Sequence, residues 1–323
     1  MKGGRIMQDN GLFSPSGATI SNLDELSRKA SLVGESRALE IADLADEAVC
    51  FSLGVAEDLG PYEILSMLSD SASFGVYPVD ADALPESRAA IELATASLTL
   101  LDKVEFVRRY LFGMSARGAA FSESDFLNES VRGERISYVR NQYADEAYDI
   151  FSEDFRDPRV KYYRSFKECV SMMESGEVDY VLLPIEERGG VRLPTVAELI
   201  YRNELKISAV TPVFGFDLGA DMKYALVSKG FKHFRAKPGD DRYLELRIPS
   251  VGSVSIAELL SASTAFGMSA YRVNTLTYDT EGESATYFYA VIKDGGEGFV
   301  PLLTYLTLFA DDYSAVGLYK NLE

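Results

Sequence analysis

The sequence predicts a chain of mixed α/β and α+β class, with a helical N-terminal region, a three-layer α/β unit and a C-terminal unit of order β-α-β-β-α-β. Apolar residues first recur at helical spacing, strands and helices then alternate from Ile136, and strands dominate again after the Pro-Gly-Asp-Asp break at 238–241. The length of 323 residues is enough for two or three domains, each with its own core.

Composition disfavours several classes of partner. The net charge of −18, from 32 basic and 50 acidic residues, would repel nucleic acid phosphates and anionic lipid headgroups. We find no apolar run of about 18 residues, as a membrane span requires, and no signal-peptide core near the N-terminus. The sequence therefore predicts a cytoplasmic protein that binds neither nucleic acid nor membranes.

The cysteine and histidine content limits the chemistry. Cys50 and Cys169 are far apart, and His233 lies in a polar stretch typical of a solvated loop. This content predicts no disulfide framework, no metal site and no cofactor. Any chemistry would depend on carboxylates, hydroxyls, lysine or arginine.

The N-terminal part is predicted to contain a disordered tail at residues 1–20 and a mainly helical region at 21–130. Helices are expected over Asn22–Ala48, with Gly34 as a candidate break, over Tyr62–Leu68 and over Ala83–Phe112. The runs AVCFSLG and FGVYPV are β-prone, and residues 113–134 are interpreted as a linker.

Residues 131–235 alternate between strands and helices. The predicted strands are ISYVRN, VKYYRS, VDYVLLPI, KISAVTPVFGF and KYALVS, and the longest helices are ADEAYDIFSEDF and the segment that begins SFKE. Ser165 with Glu168, and Thr195 with Glu198, have capping-box spacing. The uninterrupted apolar run VDYVLLPI is typical of a central strand. The alternation predicts a mainly parallel three-layer sheet.

Residues 240–323 follow a different order. YLELRIP is an alternating strand, and Ser255 with Glu258 marks the start of the helix after it. SAYRVNTLTY and SATYFYAVIKD are strands around a turn, FVPLLTYLTLFADDY is a helix, and AVGLYKN is the last strand. This order predicts a ferredoxin-like unit with two helices on one face of the sheet.

Two adjacent stretches resemble one enzyme family. SFKECVSMMESGEVDYVLLPIEE, with Gly190, Val191 and Thr195 after it, resembles prephenate dehydratase. YLELRIPSVGSVSIAELLSASTAFGMSAYRVNTLTY and the final VGLYKN resemble the ACT regulatory domain of the same enzymes. The resemblance covers roughly residues 132–323 and implies a periplasmic-binding-like fold for the α/β unit. Residues 21–130 occupy the position of the chorismate mutase domain of bacterial enzymes.

The resemblance implies a lyase of the phenylalanine branch of aromatic amino acid biosynthesis, which converts prephenate to phenylpyruvate. It implies a small aromatic or prephenate-like ligand and a homodimer formed through the ACT domain. The implied catalytic residues are Glu186, Thr195 and Lys223, with Ser228 as an alternative to Thr195, and the implied ligand-binding residues are Glu187, Arg188, Gly252, Ser253, Val254 and Asn274.

The sequence departs from the family pattern at several positions. Residues 222–224 read Met-Lys-Tyr where the family has Thr-Arg-Phe, and Glu187 and Arg188 replace Asn and Ser. Only FGFDLGAD stands where the family inserts a second lobe, and residues 274–276 replace the charged strand of its amino-acid site. Two functions therefore stay open: a prephenate dehydratase, or a non-catalytic protein that binds an aromatic metabolite or a partner protein.

Overall fold

The strands of this protein join edge to edge into one mixed sheet. The computed structural model describes residues 17–55, 91, 94–127, 133–187, 189–214, 221–232, 241–280 and 283–320. Ten strands lie in this part: β1 (Arg135–Val139), β2 (Arg159–Tyr163), β3 (Tyr180–Glu187), β4 (Val191–Arg192), β5 (Lys206–Phe214), β6 (Asp221–Ser228), β7 (Arg242–Pro249), β8 (Ser269–Thr280), β9 (Glu283–Lys293) and β10 (Ser314–Lys320). Their order is β2-β1-β3-β6-β5-β10-β7-β9-β8, and β4 pairs with β3.

Helices cover both faces of the sheet. They are α1 (Gly17–Val55), α2 (Leu100–Ala116), α3 (Glu123–Phe126), α4 (Gln142–Ser152), α5 (Phe166–Glu174), α6 (Pro194–Arg202), α7 (Ile256–Ala265) and α8 (Val300–Phe309). Helix α4 packs against one face of the sheet, over β3, β5 and β6. Helices α5 and α6 belong to the apolar core on the opposite face. The predicted three-layer α/β class is confirmed.

The first half of the sheet, strands β1 to β6, is mixed rather than mainly parallel as predicted. β1 is parallel to β2 and β3, but β6 lies between β3 and β5 and is antiparallel to both. The segment between β5 and β6 is too short for a crossover helix, so β6 can only return antiparallel beside β5.

The second half of the sheet, strands β7 to β10, has the predicted ferredoxin-like arrangement. Its order is β10-β7-β9-β8 with all pairs antiparallel. Helices α7 and α8 cover one face, and α2 packs over both of them. Every residue of α8 from Leu302 to Phe309 is buried. This explains why that helix is apolar on all sides.

The two halves meet along β5 and β10, which run parallel with Ile207 beside Gly317. One apolar core continues across this junction, with Val181 and Ile207 from the first half and Tyr289 and Val316 from the second. The face of the second half that carries no helix of its own is therefore buried against the first half and α6.

The N-terminal helix differs from the prediction. Helix α1 begins at Gly17, inside the predicted tail, and continues through Gly34 without a break. The β-prone run AVCFSLG is helical, because Ala45, Val49 and Ser52 recur at helical spacing on the face that packs against α2. Tertiary packing overrides the local β propensity here.

The segment around α2 also differs. A turn at 96–97 interrupts the predicted helix, and Thr99 then begins α2 with a capping box to Asp102. The predicted linker 113–134 holds the end of α2, the short α3 and the buried Phe126. The predicted tail residues 1–16, the helix Tyr62–Leu68, the run FGVYPV and His233 lie outside the described residues.

Helix capping was predicted correctly in two of three places. The Ser165 side chain accepts from the Glu168 N–H at 3.2 Å, and Ser255 and Glu258 form the full capping box. Thr195 is not a cap, because α6 begins two residues earlier than expected, at Pro194, with Leu193 as N-cap. Proline suits this position, because an N–H group in the first turn of a helix has no intrahelical acceptor and proline has no N–H.

Lys206 lies at the junction between the two halves. Its Nζ donates to the Ala315 carbonyl of β10 at 3.0 Å and lies 5.5 Å from the ring centroid of Phe231. Burial lowers the pKa of Lys206 from 10.5 to about 8, although the charge of Glu204 opposes the shift. The folded chain therefore loses this proton at a lower pH than the unfolded chain.

We expect the free energy of unfolding to rise by about 1 to 2 kcal/mol between pH 7.5 and 9.5, relative to Lys206→Met, because the unfolded chain binds more protons in this window. Urea denaturation at each pH measures the difference. Lys167→Met, at an exposed lysine of α5, should keep the wild-type rise. Parallel curves for wild type and Lys206→Met would contradict the assignment.

Candidate functional site

The site begins at the end of β3, where a β-bulge reorients Glu186. Pro184 pairs with Tyr224 and Glu186 pairs with Lys223, so Ile185 is the extra residue. Simple alternation would place Glu186 on the face of Leu182, beneath α4. The bulge instead moves it to the opposite face, beside Lys223, which is what bulges near functional sites often do. Glu186 is 4% exposed.

The hairpin after β3 brings in Arg192. Strand β4 folds back on β3 so that Arg192 lies directly opposite Glu186 in the ladder, on the same face. The turn contains Gly189 and Gly190, both with φ of 78°. A Cβ on Gly190 would lie 3.0 Å from the guanidinium carbon of Arg272. Glycine suits this position, because a residue with a Cβ would have to adopt a left-handed backbone and would displace the Arg272 guanidinium.

The second half of the sheet contributes the opposite charges. Arg272 of β8 forms an ion pair with Glu186, and Glu245 of β7 forms one with Arg192. Each half thus provides one acid and one base, and both pairs cross the interface. The Arg192 and Glu245 side chains are 2% and 0% exposed. Charges buried this deeply require partners, because an unpaired buried ion costs several kcal/mol.

Tyr319 completes the group. Its hydroxyl donates to Glu245 Oε2 at 3.0 Å. Gly317 lies opposite Glu245 in the ladder, and a Cβ there would meet the Tyr319 ring at 2.9 Å. Burial, and then the negative charge of Glu245, raise the pKa of Tyr319 well above its usual value, so the hydroxyl stays a donor.

We call Glu186, Lys223, Arg192, Glu245, Arg272 and Tyr319 the interface cluster. Burial lowers the pKa of Arg192, but Glu245, Tyr319 and Glu186 together outweigh burial, so the pKa of Arg192 is raised. The same balance, with Glu186 as partner, raises the pKa of Arg272. Both arginines therefore stay charged.

The space inside the cluster is small. Lys223 Nζ lies 3.8 Å from Glu186 Oε2, so this carboxylate has two cationic neighbours. A cavity of about 10 Å³ lies beside it, bounded by Tyr243, Tyr271 and Val291 among others. This is about the room that one water molecule needs, whereas metabolite sites enclose about 300 to 1,000 Å³.

The other residues implied by the resemblance lie apart from the cluster. Thr195 is exposed in a groove between α5 and α6, and Glu187 is exposed at the end of β3. Ser228 is fully buried and donates to the Gly230 carbonyl at 2.7 Å. Arg188 lies outside the described residues. The structure therefore brings Glu186 and Lys223 together and brings neither hydroxyl to them.

The residues expected to bind a ligand in the C-terminal unit are also separated. Gly252 and Ser253 are exposed in the loop after β7, where Ser253 Oγ accepts from the Asp311 N–H at 2.8 Å. Val254 is buried. Asn274 lies on β8 opposite Tyr289, facing the first half of the sheet, away from that loop.

Sequence reasoning missed Arg192, Glu245, Arg272 and Tyr319. Alternation in YLELRIP does place Glu245 and Arg247 on one face, but such a face is usually exposed to solvent. One signal was available: the same face carries Tyr243, a large aromatic side chain that indicates a buried rather than a solvent-exposed face. Their burial depends on the first half of the sheet, which no local pattern reveals.

Membrane-spanning helices and metal-binding clusters are both absent from the described residues. No described helix combines the length and apolar character needed to cross a membrane. Within the same residues, no three His, Cys, Asp or Glu side chains are grouped in a way that could hold a metal ion.

Comparisons with known proteins give only distant likenesses. No protein-family model matches the sequence, and no curated protein matches it. The chain is similar to the solved structure of prephenate dehydratase from Streptococcus mutans, with 15% identity, a TM-score of 0.47, and coverage of 59% of this chain and 100% of that one.

Two further structures are similar at the same level. A prephenate dehydratase of Arthrobacter aurescens in complex with L-Phe has 14% identity, a TM-score of 0.42, and coverage of 57% and 89%. GqqA, described as a quorum quenching acylase, has 18% identity, a TM-score of 0.44, and coverage of 58% and 96%. At these values the likeness carries no argument about activity, and the fold stands on the strands and helices described above.

Removing one partner of the buried pair should be costly. We expect Glu245→Gln to reduce the free energy of unfolding by about 3 to 5 kcal/mol, because Arg192 keeps its charge without a counter-ion. The double variant Arg192→Met, Glu245→Leu should regain most of the loss. Urea denaturation measures both.

The control for these variants is the exposed ion pair of Arg109 and Glu105 on α2, with Nε and Oε1 2.7 Å apart. Glu105→Gln should change stability by less than about 1 kcal/mol. A cost for Glu245→Gln as small as this control would show that the buried pair contributes little to the interface.

The two glycines of the β3–β4 turn provide a matched pair. Gly190→Ala and Gly189→Ala should each lower the free energy of unfolding by about 1 to 2 kcal/mol, because alanine is strained in the left-handed backbone of this turn. Gly190→Ala should lose more, since only its Cβ would meet Arg272, whereas that of Gly189 meets nothing within 4 Å. In an Arg272→Ala background the two losses should become equal. Equal losses in the wild-type background would contradict the close contact.

Proposed function

We propose that this chain is a non-catalytic protein that binds a small metabolite or a partner in a regulatory role, and that it does not dehydrate prephenate. The observation that carries this proposal is the state of Glu186. Its carboxylate is paired with Arg272 and neighboured by Lys223, beside a cavity of about 10 Å³. A residue held in this way contributes to the interface between the two halves rather than to substrate binding.

The chemistry of dehydration supports the same conclusion. Expulsion of a carboxylate and a hydroxide together requires an acid near the leaving hydroxyl and donors for the substrate carboxylates. Met222 cannot donate a proton, and Thr195 is exposed in the groove between α5 and α6. Lys223 alone would have to supply the acid, next to a carboxylate that is already paired.

The second candidate is the dehydratase itself, together with the homodimer that the resemblance implies. Glu186 and Lys223 favour it, because they lie 3.8 Å apart at the end of a central strand, where ligands of α/β sheets usually bind. For this candidate to hold, the interface cluster would have to open and admit a dicarboxylate. Strand β8, an edge strand of the described sheet, would be the natural surface for the homodimer.

Incubation with prephenate separates the two candidates. We expect no phenylpyruvate above the uncatalysed rate, even at high protein concentration, and no change when Glu186→Gln or Lys223→Met is introduced. Absorbance of phenylpyruvate in alkali, with an active dehydratase as positive control, measures the product. Turnover that disappears in Glu186→Gln would overturn the proposal.

Binding gives the positive side of the test. Titration calorimetry with phenylalanine, tyrosine, prephenate and chorismate should identify a ligand without turnover. If none binds and affinity capture finds no partner, the proposed role fails independently of the kinetic result.

A further inference from the structure

Arg247 is held in an unusual position on the buried face of the second half of the sheet. It is 4% exposed, and its guanidinium carbon lies 3.5 Å from the ring centroid of Tyr201 and 4.8 Å from that of Tyr287. Tyr201 belongs to α6 and Tyr287 to β9, so side chains from both halves hold the guanidinium. Stacking of this kind fixes the plane of an arginine and leaves its N–H groups to bind something else.

Most of those N–H groups have no protein acceptor. Nη2 donates to Ser314 Oγ at 3.0 Å, whereas Nε and Nη1 are buried without a hydrogen-bond partner. In the described part of the chain, the nearest ion-pair partner is Asp312, with Oδ1 at 4.0 Å from Nη2 and a side chain 47% exposed. A buried guanidinium with so little compensation is costly, and natural proteins seldom leave such groups unsatisfied.

Further positive charge and further free donors lie close by. Arg247 is near enough to Lys206 for its charge to add to the lowering of that pKa, of which burial is the main cause. On the other side, Tyr289 is the ladder partner of both Arg247 and Asn274, and the Arg192 guanidinium lies over its ring at 5.5 Å. Arg192 Nε and Asn274 Nδ2 are also buried without hydrogen-bond partners.

The charges in this region do not balance. Arg192 and Arg247 are both almost fully buried. Glu245 already pairs with Arg192 and accepts from Tyr319. The buried Glu186 pairs with Arg272. Asp312 is half exposed and at the limit of ion-pair distance. In the described part of the chain, the surroundings of Arg247 therefore hold more positive than negative charge, and two of its nitrogen atoms have no acceptor.

We propose that Arg247 anchors a binding site for a small oxyanion, the carboxylate of an organic acid or an inorganic oxyanion, between α6 and the buried face of the second half of the sheet. Arg192 Nε and Asn274 Nδ2 are further donors on the same buried face, and Asn274 lies across Tyr289 from Arg247. Oxyanions fit better than halides, because their spaced oxygens match the N–H groups of a planar guanidinium. Such a site would give the proposed metabolite-binding function a ligand class and a location in the fold.

Asp312 lies where an anion would enter the site, and its carboxylate competes with that anion for Arg247. It is the exposed member of the group, so an anion would approach Arg247 from its side. Its carboxylate would repel that anion and compete for Arg247. Loss of the Asp312 charge should therefore tighten anion binding, while leaving Arg247 and its two tyrosines in place.

The test measures stability against anion concentration at constant ionic strength. The melting temperature is followed in sodium acetate and in sodium sulfate, with sodium chloride as the balancing salt. We expect a saturable rise with one or both oxyanions, as for a ligand that binds only the folded state. In Asp312→Asn the half-saturating concentration should fall at least threefold, and in Arg247→Lys it should rise at least tenfold.

Two controls and a direct readout accompany these variants. Arg202→Met removes an arginine of α6 that is exposed and pairs with Glu198, and it should keep the wild-type half-saturating concentration. The Nε–H resonance of Arg247, observed by ¹⁵N correlation NMR, should shift with the same midpoint as the melting temperature. Response to acetate alone identifies a carboxylate ligand, and response to sulfate alone identifies an inorganic one.

A non-saturating rise that is the same in wild type, Asp312→Asn and Arg202→Met would reveal a general salt effect and overturn the site. This comparison holds even if Arg247→Lys fails to fold. The outcome is independent of catalysis: turnover of prephenate would refute the proposed function and leave the anion site, whereas an absent anion response would refute the site and leave the lack of turnover.

Discussion

The structure depends on burial of a charged sheet face. On β7, Tyr243, Glu245 and Arg247 alternate with the apolar residues that face α7 and α8. In a free-standing ferredoxin-like unit this polar face could lie in water, but here the first half of the sheet and α6 cover it. A charge on this face needs compensation, because desolvation without it costs more than the packing gains. The crossed pairs of the interface cluster meet that requirement, and Glu245 is compensated by Arg192 of the covering half. Among the described residues, Arg247 has only Asp312 at 4.0 Å and Ser314 as polar partners, both from the second half.

Irregular backbone near the cluster follows from the same constraint. The extra residues of three bulges are Ile185 on β3, Tyr271 on β8 and Val316 on β10, and all three strands contribute to the cluster. On β3 the bulge turns Glu186 toward its partners. Gly190 and Gly317 remove side chains where Arg272 and Tyr319 must pass. Three of the four bulges in the described sheet therefore lie on strands that contribute to the cluster, and the fourth, at Ser208, lies on β5, which contributes no member.

In this arrangement the charged end of β3 forms an interface within the sheet and not an open ligand site. In α/β folds a buried central strand that ends in polar residues usually marks a ligand site. Here the second half of the sheet occupies the space over that end, and the carboxylate that would face a substrate faces Arg272 instead. The same covering holds Arg247 between two tyrosines with free N–H groups. Packing of the two halves thus closes the end of β3 at Glu186 and leaves a buried arginine, Arg247, with free N–H groups.

The fold class and most elements from Arg135 onward follow from the sequence, because strand alternation, capping residues and glycine stops are local signals. The family resemblance placed Glu186 and Lys223 in one site, but their pairing across β3 and β6 is visible only in the structure. Tertiary structure alone decided the helical state of AVCFSLG, the antiparallel β6 and the joining of β5 to β10. It alone placed Arg192, Glu245, Arg272 and Arg247 at one interface, because burial of a polar face depends on what covers it, and the covering segment lies far away in the chain.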